Sequence, residues 1–388
     1  MTDVATFDRP RLRLVADDLT GALDTAAEFV PVVGSVRVAW GTPRPLAGRA
    51  IAFDAATREV GADEAAARVA AAARLLDLGR AEIAYLKLDS LLRGHAAREI
   101  AAAIEAAGIT HAIVAPAFPY QNRRTRDGRQ WAPIDGTWTA TGEDLPVALT
   151  ALGFAVVRAA PGAAPAPGIT VFDAETDVDL DRIVAAARTL GPGARVLWCG
   201  SGGLAGALAR TAGGTSTTPE LDRPVLGLFG TDHPVTQSQI DRAGPRALRL
   251  PDGSPASAAR LAKRLDDDGA VLVAFDLPRL ARAEAAERIA REMNRLVAGL
   301  DAPATLVCGG GETLRALCDG LGAEGLDVVG RIVPGVPCAV LIGGRWSGID
   351  VVSKSGAFGD PDFLARLVTP PLGREPALSE TASHGRTA

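Results

Sequence analysis

The sequence predicts an α/β protein of two domains, each a mostly parallel sheet flanked by helices, with the functional cleft between them. Three observations carry this. Short β-type runs alternate with Ala-rich helical stretches along the chain, the order that yields a parallel sheet covered by helices. The 388 residues exceed the ~250 to 300 at which one hydrophobic core usually stops growing. One stretch between two periodic segments, residues 211–224 (TAGGTSTTPELDRP), is dense in Gly, Thr and Pro and reads as a linker. A cut there gives a first domain over residues 1–215 and a second over 224–370, and the aperiodic tail 371–388 is expected to be disordered.

In the first domain the strand of Leu12 to Ala16 is followed by a helix from Gly21 to Phe29, Ile51 to Phe53 by Ala62 to Leu78, and Ile83 to Leu88 by Ala96 to Ala107; Ala112 to Ala115 is the next strand. Trp131 and Trp138 flank an Asp135-Gly136 turn, which predicts a hairpin excursion. Val196 to Cys199 then leads through Gly200-Ser201-Gly202-Gly203 into a helix from Leu204 to Arg210. The second domain alternates Val225 to Phe229, Val235 to Ala243, Ala247 to Leu250, Pro255 to Leu265, Ala270 to Phe275 and an amphipathic helix from Ala281 to Leu300. Thr305 to Cys308, Asp327 to Ile332, Ala339 to Ile342 and Ile349 to Ser353 complete it as strands.

Composition excludes several function classes. A formal net charge of -5, from 41 basic and 46 acidic residues, offers no basic excess for a nucleic-acid backbone or an anionic membrane. No apolar run reaches the ~18 to 20 residues of a membrane span, and the charged N-terminus lacks a signal-peptide core, so a cytoplasmic location is expected. Cys199, Cys308, Cys318 and Cys338 form no CxxC pair and the four histidines are far apart, so a zinc site lacks its ligands and the cysteines read as small buried hydrophobes.

In open α/β sheets ligands bind beyond the carboxyl ends of the strands, and those ends are loaded with polar groups here. The first strand ends in Asp17-Asp18-Leu19-Thr20-Gly21. Asp18 or Thr20 would cap the next helix, which accounts for one acid and not for both. Lys87 and Asp89 lie two apart, on one side of a strand, and are followed by Ser90, Arg93 and Gly94. They form either a structural ion pair or, with Asp17 and Asp18, a mixed-charge cluster suited to a polyhydroxylated acid. Residues 122–128 carry Arg123, Arg124 and Arg126, a solvated basic loop or an anion clamp.

The second domain offers glycine loops. Gly309-Gly310-Gly311-Glu312-Thr313 runs straight into a helix, so backbone N–H groups converge where an anion would sit. Gly230-Thr231-Asp232-His233 and Lys354-Ser355-Gly356-Ala357-Phe358-Gly359 also follow strands, and together the three loops suggest a nucleotide cradle. Gly200 to Ala205 fits G-x-G-x-x-A, but Glu220, 20 residues on, falls in the linker, so close helix–strand packing or a domain-facing loop is the expected role of these glycines.

Seven segments together, ADDLTGALD (16–24), KLDSLLRG (87–94), PAFPYQNRRTRDG (116–128), WCGSGGLAGALA (198–209), GGET (310–313), PGVP (334–337) and KSGAFG (354–359), resemble the four-carbon acid sugar kinase family of threonate, erythronate and 3-oxo-tetronate kinases. The resemblance implies a sugar-acid-binding N-terminal domain, a nucleotide-binding C-terminal domain, and ATP-dependent phosphorylation of a terminal hydroxyl. It implies sugar-acid contacts at Asp17, Asp18, Lys87, Asp89, Ser90, Arg93, Arg123 and Thr125, and nucleotide contacts at Gly230, Thr231, His233, Gly310, Gly311, Glu312, Thr313, Gly356 and Gly359. ATP with Mg²⁺ would be the donor, Lys87 or Arg93 the positive group at the reacting end, and Asp18 or Asp89 the group that orients or deprotonates the hydroxyl. Leu91, Asn122 and Thr231 to His233 depart from the family pattern, where a Thr, a Gly and a GSxS-like loop are usual. The other readings are a sugar-acid sensor without turnover and a dehydrogenase built on the Gly200 turn. The partners expected are the acid and ATP, with no nucleic acid and no membrane; a homodimer fits the sequence without being fixed by it.

Overall fold

The computed structural model describes residues 10–42, 44, 46–215, 218–230, 233–276 and 282–369. The expected disorder of the tail therefore lies outside the described residues, as do Thr231 and Asp232. The first half runs β1 (Leu12–Ala16), α1 (Leu19–Val33), β2 (Val36–Ala39), β3 (Ala50–Asp54), α2 (Ala62–Leu75), β4 (Ile83–Lys87), α3 (Ala96–Ala107) and β5 (His111–Ala115). A three-stranded antiparallel excursion follows, β6 (Arg124–Arg126), β7 (Arg129–Ile134) and β8 (Thr137–Thr141). Then come α4 (Leu145–Ala151), β9 (Val156–Ala159), β10 (Gly168–Phe172), α5 (Asp177–Ala187), β11 (Val196–Gly200) and α6 (Gly202–Thr211). The hairpin turns at Asp135 and Gly136, both at positive φ (50° and 77°), as an Asp-Gly pair favours.

The second half runs β12 (Val225–Phe229), α7 (Pro234–Arg242), β13 (Ala247–Leu250), α8 (Pro255–Asp268), β14 (Ala270–Phe275), α9 (Arg282–Ala298), β15 (Thr305–Gly309) and α10 (Gly311–Leu321). It closes with β16 (Gly325–Val333), β17 (Val336–Ile342), β18 (Asp350–Lys354) and α11 (Phe363–Val368). The alternation expected from periodicity is present throughout. Short elements with weak periodicity, namely β2, β9, β10, α4 and α5, were not legible in it.

The halves share one 15-stranded sheet, ordered β13-β14-β12-β15-β18-β17-β16-β2-β3-β1-β4-β11-β5-β10-β9. Its strands are parallel within each half except at β17, which pairs antiparallel with both β16 and β18, and β16 pairs antiparallel with β2 through Leu326↔Val38, Asp327↔Arg37 and Val328↔Val36. An Arg37–Asp327 ion pair spans the same seam, Nη2 to Oδ2 at 2.9 Å. One hydrophobic core runs continuously along one face of the sheet, from Leu14 and Phe29 to Leu306 and Val351. The opposite face carries two separate cores, around Phe53 and Ile100 in the first half and around Phe229 and Leu364 in the second. All four cysteines are buried and free. Among the described residues no helix is long and apolar enough to cross a membrane.

Of the two roles expected for the Gly200 turn, close packing is the one present. A Cβ at Gly203 would overlap the Ala117 carbonyl, one at Gly202 would press on the Phe118 ring, and Ser201 Oγ donates to Ala117 O at 2.9 Å.

Candidate active site

The strand order assembles the first cluster. β1 lies between β3 and β4, with Ala16 opposite Asp54 on one side and Lys87 on the other. The three strand ends therefore project together, the crevice position where sheet order reverses. Asp18 does cap α1, accepting from Gly21 N at 2.8 Å. Its other oxygen takes Arg58 Nη1 at 2.6 Å, and Arg58 Nε reaches Asp17 Oδ2 at 2.8 Å. Arg58 Nη2 also lies 3.4 Å from Asp89 Oδ1. Asp89 in turn accepts from Arg93 Nε at 2.9 Å, from Arg93 Nη2 at 2.6 Å and from the Leu91 and Arg93 backbone. Lys87 is buried, with Nζ donating to Leu88 O at 2.8 Å.

Arg58, in the loop after β3, is the hub that sequence reasoning missed. The rule of inspecting polar residues beyond each strand, applied to Ile51–Phe53, would have reached Asp54 and Arg58. Burial would weaken the Arg58 charge, but Asp17, Asp18 and Asp89 hold it firmly protonated. For Asp89, burial alone would raise the pKa; the bonds from Arg93 and the charge of Arg58 hold it well below the usual carboxylate range. Asp17 moves the other way, because burial outweighs Arg58, and its Oδ1 is enclosed without a partner. Behind it Glu99, also buried, is pushed up to about 7 by burial and by the Asp17 charge.

The arginine loop divides in two. Arg124 and Arg126 face outward to Glu175, and Arg124 stacks over Trp138 at 4.2 Å. Arg123 turns inward, close enough to Asp89 and Arg93 to feel both charges. Among the described residues no carboxylate pairs with it: Nη1 bonds the Gln121 carbonyl and Nε is buried without a partner. Asn122, in place of the usual Gly, sits at φ 55°, a left-handed conformation that Asn tolerates better than most residues. The buried Thr125 hydroxyl donates to Gln130 Oε1 at 2.8 Å, and Gln130 Nε2 holds Ser90 O at 2.8 Å.

The glycine loops converge at the ends of β12, β15 and β18, which are neighbours in the sheet. Gly310, at φ 98°, heads α10, and its N–H donates to Lys354 O at 3.0 Å. Glu312 and Thr313 lie in the first turn of α10, and a Cβ at Gly230 would overlap the Thr313 hydroxyl. His233 caps α7, its Nδ1 accepting from Val235 N at 3.3 Å. The Gly356 carbonyl accepts from Thr236 Oγ1 at 2.7 Å, and Gln239 Nε2 bonds the carbonyls of Phe358 and Asp360 on either side of Gly359.

The two clusters touch. A Cβ at Gly311 would overlap the Thr20 hydroxyl, so the glycine loop of one half abuts the Asp17–Thr20 loop of the other. Arg315 of α10 reaches Asp54 Oδ2 at 3.3 Å, Trp40 Nε1 donates to Asp319 at 3.0 Å, and Tyr120 stacks on Phe358 with centroids 6.3 Å apart. Arg331 of β16 pairs with the buried Glu28 of α1.

Comparison with known proteins finds a family model in each half of the chain. Residues 12–148 match the family described as Sugar-binding N-terminal domain and residues 226–364 the one described as Nucleotide-binding C-terminal domain. The chain is 33% identical to a D-threonate kinase of Bordetella bronchiseptica, over 92% of this chain and 96% of that one. It is 28% identical to a 3-oxo-tetronate kinase of Pseudomonas fluorescens, over 93% and 97%. A solved Salmonella typhimurium structure described as a tRNA synthase superposes with a TM-score of 0.71 over 92% of this chain and 98% of that one; at 20% identity this likeness shows the fold alone.

Proposed function

The chain belongs to the four-carbon acid sugar kinase family, and on that premise we propose that it transfers the terminal phosphoryl group of ATP to a terminal hydroxyl of a threonate-, erythronate- or 3-oxo-tetronate-type acid. It is a sugar-acid kinase; the donor and the acid are the reading offered here. The observation that carries it is the contact of the Gly310–Thr313 turn with the Asp17–Thr20 loop at Gly311 and Thr20. Phosphoryl transfer is mainly a matter of placing acceptor, phosphorus and leaving group in line and neutralising charge, and the contact of the glycine turn with the charged cluster supports that reading.

Arg123 takes the substrate carboxylate. Asp17, Asp18 and Asp89 pair with Arg58 and Arg93, and Lys87 lies near Asp17 and Asp89 with Nζ on the Leu88 carbonyl, whereas no described carboxylate pairs with Arg123, which is therefore assigned the charge of the incoming acid. Between the two candidate bases, Asp89 is occupied by Arg93, Arg58 and two backbone N–H groups and is a weak proton acceptor. Asp18 is a quarter exposed, with one oxygen on the α1 cap and one on Arg58, and the acceptor hydroxyl is assigned to it. The phosphates rest on the N–H groups of Gly311, Glu312 and Thr313 at the head of α10, the Gly310 N–H being already held by Lys354 O. Mg²⁺ would neutralise phosphate charge; no group of three His, Cys, Asp or Glu converges as a metal site among the described residues, so it would come held by the nucleotide.

The test is coupled ADP release from ATP with D- and L-threonate, D- and L-erythronate and the 3-oxo-tetronates. Turnover that needs both ATP and one of these acids is the expected result; acid binding without ADP release would make the protein a sensor.

A further inference from the structure

We propose that Lys354 is the cation that receives the nucleotide's phosphates, an inference that rests on the nucleotide site described above. Lys354 is the last residue of β18, beside Gly309 of β15, and is completely buried. Its Nζ has one acceptor among the described residues, Thr236 Oγ1 at 2.8 Å in the first turn of α7, and the Thr236 hydroxyl in turn donates a hydrogen bond to Gly356 O at 2.7 Å. No described carboxylate pairs with it.

A buried ammonium without a counter-ion is costly, and proteins keep such groups paired or neutral. Burial pulls this one down to about 8, the direction expected of a cation with no anion beside it. The neighbouring structure makes matters worse for the free protein: the positive end of α7 carries no acid in its first turn and lies on the same ammonium. An unanswered cation and a helix N-terminus meet where the loops carrying Gly230, Gly310 and Gly356 converge. An anion placed there would satisfy both, and two of the ammonium's three protons remain for its oxygens. A merely structural lysine would instead be expected beside a carboxylate, as Arg58 and Arg93 are.

The experiment measures calorimetric affinities for the non-hydrolysable analogue AMP-PNP and for adenosine in wild type, Lys354→Met and Lys354→Gln. The glutamine keeps a donor for Thr236 and removes the charge. Both variants are expected to lose about 10- to 100-fold in AMP-PNP affinity, to bind adenosine as wild type does, and to melt no lower than wild type, since an unpaired buried charge has gone. Unchanged AMP-PNP affinity in either folded variant overturns the role of Lys354 and leaves the nucleotide site standing. Loss of fold in both variants would mark the lysine as structural and overturns it too. A wild-type protein that binds neither AMP-PNP nor any other nucleoside phosphate overturns the site and the inference together.

Discussion

The ends of β1 and β4 gather charged side chains, and the ends of β12, β15 and β18 gather glycine turns and helix N-termini with one buried lysine. Asp17, Asp18, Asp89, Arg58 and Arg93 form a closed network of ion pairs in which each charge is answered before any ligand arrives. The glycine half has turns and helix N-termini, with one buried lysine left unanswered. A polyhydroxylated acid must be told from its stereoisomers, which takes directional side chains on a rigid frame. A phosphate chain is recognised by charge and by N–H groups common to every residue, so the sequence there needs mainly small residues. The contrast predicts that the acid half responds to substitution in both stability and activity, while the glycine half responds mostly in affinity.

The largest effect is expected at the hub. Arg58→Ala leaves three carboxylates around a void and should cost about 3 kcal/mol in chemical denaturation as well as turnover; Arg58→Lys, which cannot fork to two carboxylates, should recover stability only in part. A wild-type denaturation midpoint for Arg58→Ala would remove the structural side of the contrast. Next, Arg123→Met should raise the KM for the acid about 100-fold, with the fold and AMP-PNP affinity intact, because this guanidinium answers no protein carboxylate. An equal loss of nucleotide affinity would show that the two sites are not divided as drawn.

A smaller effect concerns pH. The folded pKa of Glu99, about 7, lies above its ordinary value. The native state therefore holds that proton more tightly than the unfolded chain, and the stabilisation it gives is complete below pH 4.5 and lost as pH rises to about 7. Urea titrations should show wild type losing on the order of 2 kcal/mol more than Glu99→Gln between pH 5 and 7.5. Parallel stability curves would mean that Glu99 is not held protonated behind Asp17. The smallest effect tests the seam itself. Gly311→Ala should lower kcat/KM less in a Thr20→Ala background than alone, with a coupling of about 1 kcal/mol, because the added methyl meets the Thr20 hydroxyl. Additive losses would separate the glycine loop from the acid loop.

Periodicity and spacing carried the local part of this structure. The strands of Leu12 to Ala16 and Val225 to Phe229, the Asp135-Gly136 hairpin, the cap at Asp18 and the glycine turn that opens α10 each depend on residues a few positions apart, so a linear reading recovers them. The motif residues at the strand ends were legible for the same reason. Which strands lie side by side was not. Arg58 meets Asp17, Asp18 and Asp89 only because β1 inserts between β3 and β4, and Lys354 lies beside Gly309 only because β18 follows β15 in the sheet. The linker at 211–224 read as the join between halves, yet β2 and β16 weld them into one sheet and bring Gly311 onto Thr20. Strand pairing is chosen by the whole chain burying two faces at once, and that choice leaves no local trace; it alone decided which charges meet a carboxylate and which do not.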